Sequence, residues 1–350
     1  MKTVHINAGN GGKGYDVKIG SGLLSQSGEM IREVLNADRI ALFTDSTVNS
    51  LYGDEVEEQL KNTGFETCRF VFEAGEESKN MSTVTSFIDF MAENHLTRKD
   101  AVAALGGGVA GDMGGFAAAI YLRGIQFVQI PTTLLAAVDS SVGGKTGVDI
   151  SAGKNLAGAF WQPSLVICDT DVFGTLMEDG ILDGTAEILK TGAIRDAALF
   201  DKAAGGNIMD MADEIIERCV QIKGAVVDAD EKEAGLRRIL NFGHTMGHAI
   251  EKYSNYGLSH GKAVAIGMLM VTKAFEGMGK TEQGTYERLF RVIESKGFKT
   301  EYYAPLEELC ILAASDKKTS GKSISLVYIP EIGMADTYDV ELDKLYEVMR

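Results

Sequence analysis

The chain has 350 residues, 45% hydrophobic and 24% charged, which suits a globular protein of two domains and excludes a disordered, collagen-like or coiled-coil chain. Lys and Arg number 34 against 50 Asp and Glu, a formal net charge of −16; this argues against broad nucleic-acid binding but leaves room for a local basic cluster around a small anion. No apolar run reaches the ~18 residues of a transmembrane helix, MKTVHINAGNGG lacks the apolar core of a signal peptide, and Cys68, Cys168, Cys219 and Cys310 form no paired motif, so a cytoplasmic location is expected.

In chain order, RIALFT (39–44) reads as a buried strand, followed by a polar turn at Asp45 and Ser46 and helical spacing to about Lys61. ETCRFVF (66–72) reads as a strand, residues 80–94 as a helix, and AVAAL (101–105) as a short apolar strand that runs into GGGVAGDMGG. A helix of small residues follows, then QFVQI (126–130), a strand that stops at Pro131. Strand and helix alternate as in a mostly parallel sheet with helices on both faces. From about residue 172 the pattern changes to long amphipathic stretches at 185–203, 207–228, 243–253, 261–278 and 283–296. SISLVYIP (323–330) then belongs to a late strand pair. The expected fold class is α/β plus all-α: an α/β domain over 1–171 and a mainly helical domain over 172–350, divided near CDTDVFGTL (168–176).

With 41 Gly against 4 Pro, the glycines belong in tight turns and close backbone approaches. Gly106, Gly108 and Gly111 in GGGVAG spell G-x-G-x-x-G after a strand and before a helix, where backbone N–H groups can approach a pyrophosphate. A close strand–helix contact is the alternative. The acid expected about 20 residues further on, for the ribose, is absent; Pro131, Thr132 and Thr133 stand there. Asp45 is the substitute, at the end of an earlier strand, with a helix N-cap as its plainer reading. Glu76 or Lys79 in GEESK can reach the same crevice, with surface charge as the plainer reading of both.

Three of the five histidines, His244, His248 and His260, fall close together. His244 and His248 are four apart in GHTMGHAIE and share a helix face, as in zinc-binding helices, but Thr245 stands where a metalloprotease needs Glu. His260 starts the next helix, and Glu187 in GTAEILKTG is the candidate acid. Imidazoles with a carboxylate suit zinc or a similar ion that keeps a position open for substrate. Lys145 in VGGKTG, Lys154 in SAGKN, Arg123 in YLRG, Lys190, Lys223, Arg237 and DKK (316–318) each read singly as solvated charge. Together, in Gly-rich or small-residue surroundings, they suggest a cradle for phosphate and carboxylate groups.

Taken in order, GGGVAGDMGGFAAAIYLRG, QIPTTLLAAVDSSVGGKTGVD, GKNLAGAFWQP, GTAEILKTGAIRD, LNFGHTMGHAIE, LSHGKAVAIGM and DKK carry a resemblance over nearly the full length to the 3-dehydroquinate synthases of the sugar phosphate cyclase family. The resemblance implies a Rossmann-like NAD-binding N-terminal domain, a mainly helical metal- and substrate-binding C-terminal domain, and an active site between them. It implies Glu187, His244 and His260 as ligands to zinc or cobalt, which replaces the His244–His248 pair and leaves His248 either to support the ligands from behind or to handle protons. The implied NAD contacts are Asp45, Glu76, Lys79, Gly107, Gly108, Val109, Asp112, Thr132, Thr133 and Asp139, with Lys154 able to reach either ligand. Lys145, Lys190, Lys223, Arg237, Asn241 and His248 are the implied catalytic set; Arg123, Asn155 and one of Lys317 and Lys318 the implied substrate contacts.

The implied reaction converts 3-deoxy-D-arabino-heptulosonate 7-phosphate to 3-dehydroquinate and phosphate, in the shikimate pathway of aromatic amino acid biosynthesis. It passes through transient oxidation by NAD, phosphate elimination, reduction and an intramolecular aldol closure. A cytoplasmic homodimer with a small sugar phosphate as substrate, and neither nucleic acid nor membrane as partner, goes with that reading. The alternatives are a sister cyclase, a metal-dependent NAD alcohol or glycerol dehydrogenase, and a non-catalytic nucleotide- or metal-binding module. The Arg123, Lys145, Lys223 and Arg237 set speaks against the dehydrogenase, which needs no phosphate cradle.

Overall fold

The computed structural model describes residues 1–7, 14–316 and 322–350. Two compact units divide the chain, one of Met1–Leu176 with Ala212–Glu231, the other of Met177–Met211 with Lys232–Arg350. The expected division after residue 171 is therefore not a single cut. The helix Ala212–Ala229 lies in the second half of the sequence but packs on the N-terminal strands of the first unit.

Among the described residues of the first unit, seven strands form one sheet. They are β1 (Lys2–Ile6), β2 (Tyr15–Gly20), β3 (Arg39–Asp45), β4 (Glu66–Phe72), β5 (Ala101–Gly106), β6 (Gln126–Pro131) and β9 (Leu165–Asp169); β7 (Lys145–Ile150) and β8 (Gly153–Phe160) form a separate antiparallel hairpin. The sheet order is β1-β2-β9-β6-β5-β3-β4, with β1 antiparallel to β2 and every other pair parallel. β5 is buried at all six positions, which is why it reads as an unbroken apolar run rather than an alternating one. The helices Met81–Glu93 and Gly108–Ile120 close one core around Phe43, Phe87, Met91, Val102, Met113 and Phe127. The Phe43 ring lies 4.5 Å from that of Phe87 and 4.8 Å from that of Phe72, and each buried ring contributes on the order of 1.5–3 kcal/mol.

The chain passes from β3 to β4 on one side and then to β5 on the other. The sheet thus reverses its direction of growth between β3 and β5, and ligands of open α/β sheets bind at the carboxyl ends of strands at such a point. The strands β1 and β2 and the hairpin β7–β8 were not expected from the sequence. β8 (GKNLAGAF) is Gly-rich and partly exposed along its length, so it carries little strand signal of its own.

The second unit is built from the helices Glu178–Arg195, Ala197–Gly205, His244–Tyr253, His260–Gly277, Thr285–Ser295, Leu306–Asp316 and Leu345–Met349, with β10 (Ser323–Glu331) antiparallel to β11 (Met334–Glu341). The single helix expected over 185–203 is two. Asp196 separates them, and its carboxylate caps the second by accepting from the N–H groups of Ala198 and Leu199 at 3.0 and 3.1 Å. No helix among the described residues is long and apolar enough to cross a membrane.

Candidate active site

The glycine loop joins β5 to the helix Gly108–Ile120 at the switch point. Gly107 is the N-cap and offers no side-chain cap, so the first N–H groups of the helix face outward with the positive end of the helix dipole. A Cβ on Gly107 would press to 3.0 Å from Thr133 Cγ2, and one on Gly108 to 3.2 Å from Ser140 Oγ. Only glycine lets the loop pass so close beneath these side chains. Val109 follows in the first turn, and Asp112 lies one turn further. Asp45, at the end of β3, accepts from the N–H groups of Thr47 and Val48 through Oδ1, both at 2.9 Å. It is thus the N-cap that the plainer reading expects. Its Oδ2 lies 3.3 Å from where a Gly106 Cβ would stand, so the carboxylate also faces the glycine turn. Thr132 donates its N–H to the Gly106 carbonyl at 2.9 Å, and its hydroxyl is buried without a hydrogen-bond partner among the described residues. An uncapped helix N-terminus, an unsatisfied hydroxyl and a carboxylate suit the pyrophosphate and ribose of a dinucleotide.

Lys79 ties a second cluster together in the same unit. It is 6% exposed and donates to Asp112 Oδ2 at 2.6 Å and to Asn155 Oδ1 at 2.7 Å. Burial works against the ammonium charge, but Asp112 outweighs it, and the Lys79 pKa is raised. Asn155 adopts φ +55° and is further fixed by donating its N–H to Asp149 Oδ1 at 2.7 Å. Asp149 is a residue that sequence reasoning missed; it sits in VGGKTGVD with nothing to mark it apart from its neighbours. Lys223, on the helix Ala212–Ala229, reaches Asp139 at both its carbonyl (2.6 Å) and its Oδ1 (2.8 Å). Glu76 and Lys154 pair at 3.5 Å. Lys145 opens β7 and is exposed. Arg123 is also exposed, and lies beyond the far end of a helix about 20 Å long from Gly108. The geometry of the first unit does not bring it to the glycine loop.

In the second unit, Glu187 and Lys190 lie on the helix Glu178–Arg195, each 1% exposed and in ion-pair contact. Glu187 Oε1 lies 3.6 Å from Nε2 of both His244 and His260. One ligand atom from each of the three residues falls within 4.8 Å of the others. Neither carboxylate oxygen of Glu187 has a hydrogen bond of regular geometry among the described residues. Burial opposes its charge, yet Lys190 and the two imidazoles hold the carboxyl well below the usual range. Burial, then Lys190, holds His244 well below the usual imidazole pKa. A buried, ionised carboxylate converging with two imidazole nitrogens fits a divalent zinc or cobalt ion.

Glycines allow the convergence. Gly243 precedes the helix His244–Tyr253 with φ +80°, in the left-handed region. A Cβ on Gly267 of the helix His260–Gly277 would collide with the Gly243 carbonyl, so the two histidine helices cross in backbone contact. His244 Nδ1 faces the Phe242 carbonyl at 3.2 Å, which leaves Nε2 for Glu187's side.

His248, paired with His244 by spacing, does not join the Glu187 group. It is exposed and groups with Glu251 and His260 instead. Arg237 is 2% exposed, and Asn241 donates to Glu233, an acid that the sequence hides in a run of charged residues. Glu251 was missed as well, although it ends the quoted GHTMGHAIE; it is 5% exposed. Lys317 and Lys318 lie outside the described residues.

Two family models match the chain: 3-dehydroquinate synthase N-terminal over residues 69–183, and 3-dehydroquinate synthase C-terminal over residues 184–319. The chain is 41% identical to a 3-dehydroquinate synthase of Clostridium acetobutylicum, a match that covers 100% of this chain and 99% of the relative. Among solved structures it is similar to 2-deoxy-scyllo-inosose synthase complexed with carbaglucose-6-phosphate, NAD+ and Co2+, at 25% identity and TM-score 0.88, over 100% and 99% of the two chains. It is also similar to the 2-epi-5-epi-valiolone synthase of Streptomyces hygroscopicus subsp. jinggangensis with NAD+ and Zn2+ bound, at 27% identity and TM-score 0.84, over 98% of each.

Proposed function

The chain belongs to the 3-dehydroquinate synthase family, and from that premise we propose that it is an NAD- and metal-dependent phosphate-eliminating cyclase that makes 3-dehydroquinate from 3-deoxy-D-arabino-heptulosonate 7-phosphate. The observation that carries the reading is the Glu187–His244–His260 group, with its buried carboxylate, in a chain that also has an uncapped glycine loop at the switch point of its sheet.

When bound, the divalent ion polarises a substrate hydroxyl and NAD accepts and returns a hydride, so the cofactor is restored in each turnover. Glu187, His244 and His260 would hold the ion. The glycine loop at Gly107, Gly108 and Val109, the Thr132 hydroxyl, Thr133 and Asp45 Oδ2 would bind the dinucleotide. Lys79 serves both ends of its network, because one ammonium group fixes Asp112 on the glycine-loop helix and Asn155 on the hairpin. Lys223, turned onto Asp139, and Lys145 and Lys154 supply positive charge for carboxylate and phosphate. Arg237 and Lys190 do the same in the second unit, where Asn241 offers an amide donor, and together they stabilise enolate-like charge. The exposed ring of His248 suits the transfer of a hydroxyl proton. The roles of Arg123, Lys317 and Lys318 in substrate binding rest on the family resemblance alone. A cytoplasmic homodimer without nucleic-acid or membrane partners belongs to the same reading, in line with four free cysteines and a net charge of −16.

The test is product identification. Purified protein with zinc, NAD and the heptulosonate phosphate should give 3-dehydroquinate by NMR. An inert heptulosonate phosphate, with a carbocycle formed from another sugar phosphate, moves the chain to a sister activity. Stoichiometric NADH from simple polyols moves it to the dehydrogenases.

A further inference from the structure

Glu251 lies outside the Glu187–His244–His260 group but directly behind it. Its side chain is 6% exposed, and Oε2 sits 3.4 Å from His260 Nδ1. Nε2 of the same ring faces Glu187 Oε1 at 3.6 Å. The imidazole is thus held between two carboxylates, one on each nitrogen. A buried carboxylate is retained only where something repays its desolvation. An acceptor at Nδ1 places the ring proton there, fixes the ring plane and leaves the Nε2 lone pair for an ion. His244 has the same arrangement with a weaker acceptor, the Phe242 carbonyl at 3.2 Å from Nδ1. Glu251 projects from the helix His244–Tyr253 while His260 starts the next helix, so it ties the two histidine-bearing helices together. It also groups with a nitrogen of His248, three residues earlier on its own helix.

We propose that Glu251 is a positioning residue of the metal centre, whose ionised carboxylate orients His260 and strengthens its Nε2 as a ligand. The proposal deepens the metal reading of this site and rests on it. It adds a negative charge beside the ligands without adding a ligand, so its removal should weaken the site rather than abolish it.

The experiment measures cobalt affinity by competition with a chromophoric chelator in the parent, Glu251→Gln and Glu251→Ala, and records the visible cobalt spectrum of each. Glu251→Ala should bind cobalt 10- to 100-fold more weakly, with a shifted spectrum. Glu251→Gln keeps an acceptor but loses the charge, and should fall between the two by at least threefold. Metal-free proteins should show the same far-UV circular dichroism. A residue that merely packs would lower the melting temperature of the metal-free protein and leave affinity and spectrum alone. Affinities within twofold of the parent overturn the proposal; if the alanine variant does not fold, the glutamine variant decides by the same criterion. A parent that binds no cobalt overturns the metal reading and the proposal together, whereas a parent that binds with unaffected variants overturns only the role of Glu251.

Discussion

At the scale of the residue, the pair Glu187 and Lys190 shows how function and stability compete. Both side chains are all but fully buried, and each charge is tolerable because the other is there. Glu187→Gln removes the carboxylate proposed as a ligand and leaves the Lys190 ammonium without its counter-charge. It should abolish stoichiometric metal uptake, read by metal analysis, and destabilise the protein by about 3–5 kcal/mol in urea unfolding. Unchanged metal content would contradict the ligand assignment. Asp100 gives a residue-scale prediction remote from the site. Its carboxylate accepts from the Thr97 N–H at 2.6 Å, the Thr97 hydroxyl at 2.8 Å and the Arg39 N–H at 2.8 Å, and so ties the starts of β3 and β5 together. Burial pushes its pKa up, but these hydrogen bonds outweigh burial and the pKa is lowered. A group whose folded pKa is depressed stabilises above its unfolded pKa, here about 4, and loses that contribution as pH falls through the folded value. Asp100→Asn should therefore cost about 1–3 kcal/mol at neutral pH, and its deficit in melting temperature should narrow as pH falls below about 4. A deficit that stays constant with pH would contradict this.

At the scale of the element, glycines decide where helices can go. Gly267→Ala forces the histidine helices apart, because the new methyl meets the Gly243 carbonyl. It should cost about 1–3 kcal/mol and weaken metal binding at least tenfold in the chelator competition; full affinity would show that the close crossing is not what gathers the ligands. Gly108→Val, in contrast, fills the space beneath Ser140. It should lose NAD affinity by calorimetry while zinc uptake stays at the parent level. Loss of both would indicate misfolding rather than a blocked loop. These elements also show what could be read from the chain. Glu66–Phe72, with four β-branched or aromatic residues, and Ala101–Gly106, a short apolar run, are followed by turns, and residue pattern finds them within a residue. The hairpin β7–β8 escapes that reading, since Gly147 and Gly158 face each other across it and its strands depend on the Gly108–Ile120 helix for cover. The nearness of His260 to His244 is legible only as clustering in sequence. The crossing that joins them rests on which glycine faces which carbonyl, and no period encodes that. Glu251 and Asp149 escaped for the same reason, because a carboxylate's partner across two elements leaves no trace in its own neighbourhood.

At the scale of the molecule, the chain carries two separate constellations, a glycine loop with its lysine network in one compact unit and a carboxylate–histidine group in the other. The helix Ala212–Ala229 brings Lys223 from late in the sequence onto Asp139 in the first unit, so the compact units do not follow a single division of the chain. The family match runs across both units, over residues 69–183 and 184–319. The central claim is that the dinucleotide and the metal serve one redox-neutral elimination. The direct measurement is phosphate released from the heptulosonate phosphate with NAD present at a fraction of the substrate, with and without a metal chelator. The account predicts phosphate in large excess over the NAD supplied, no net NADH, and loss of release with chelator that added zinc or cobalt restores. Phosphate release capped at the amount of NAD, or untouched by chelator, would contradict it.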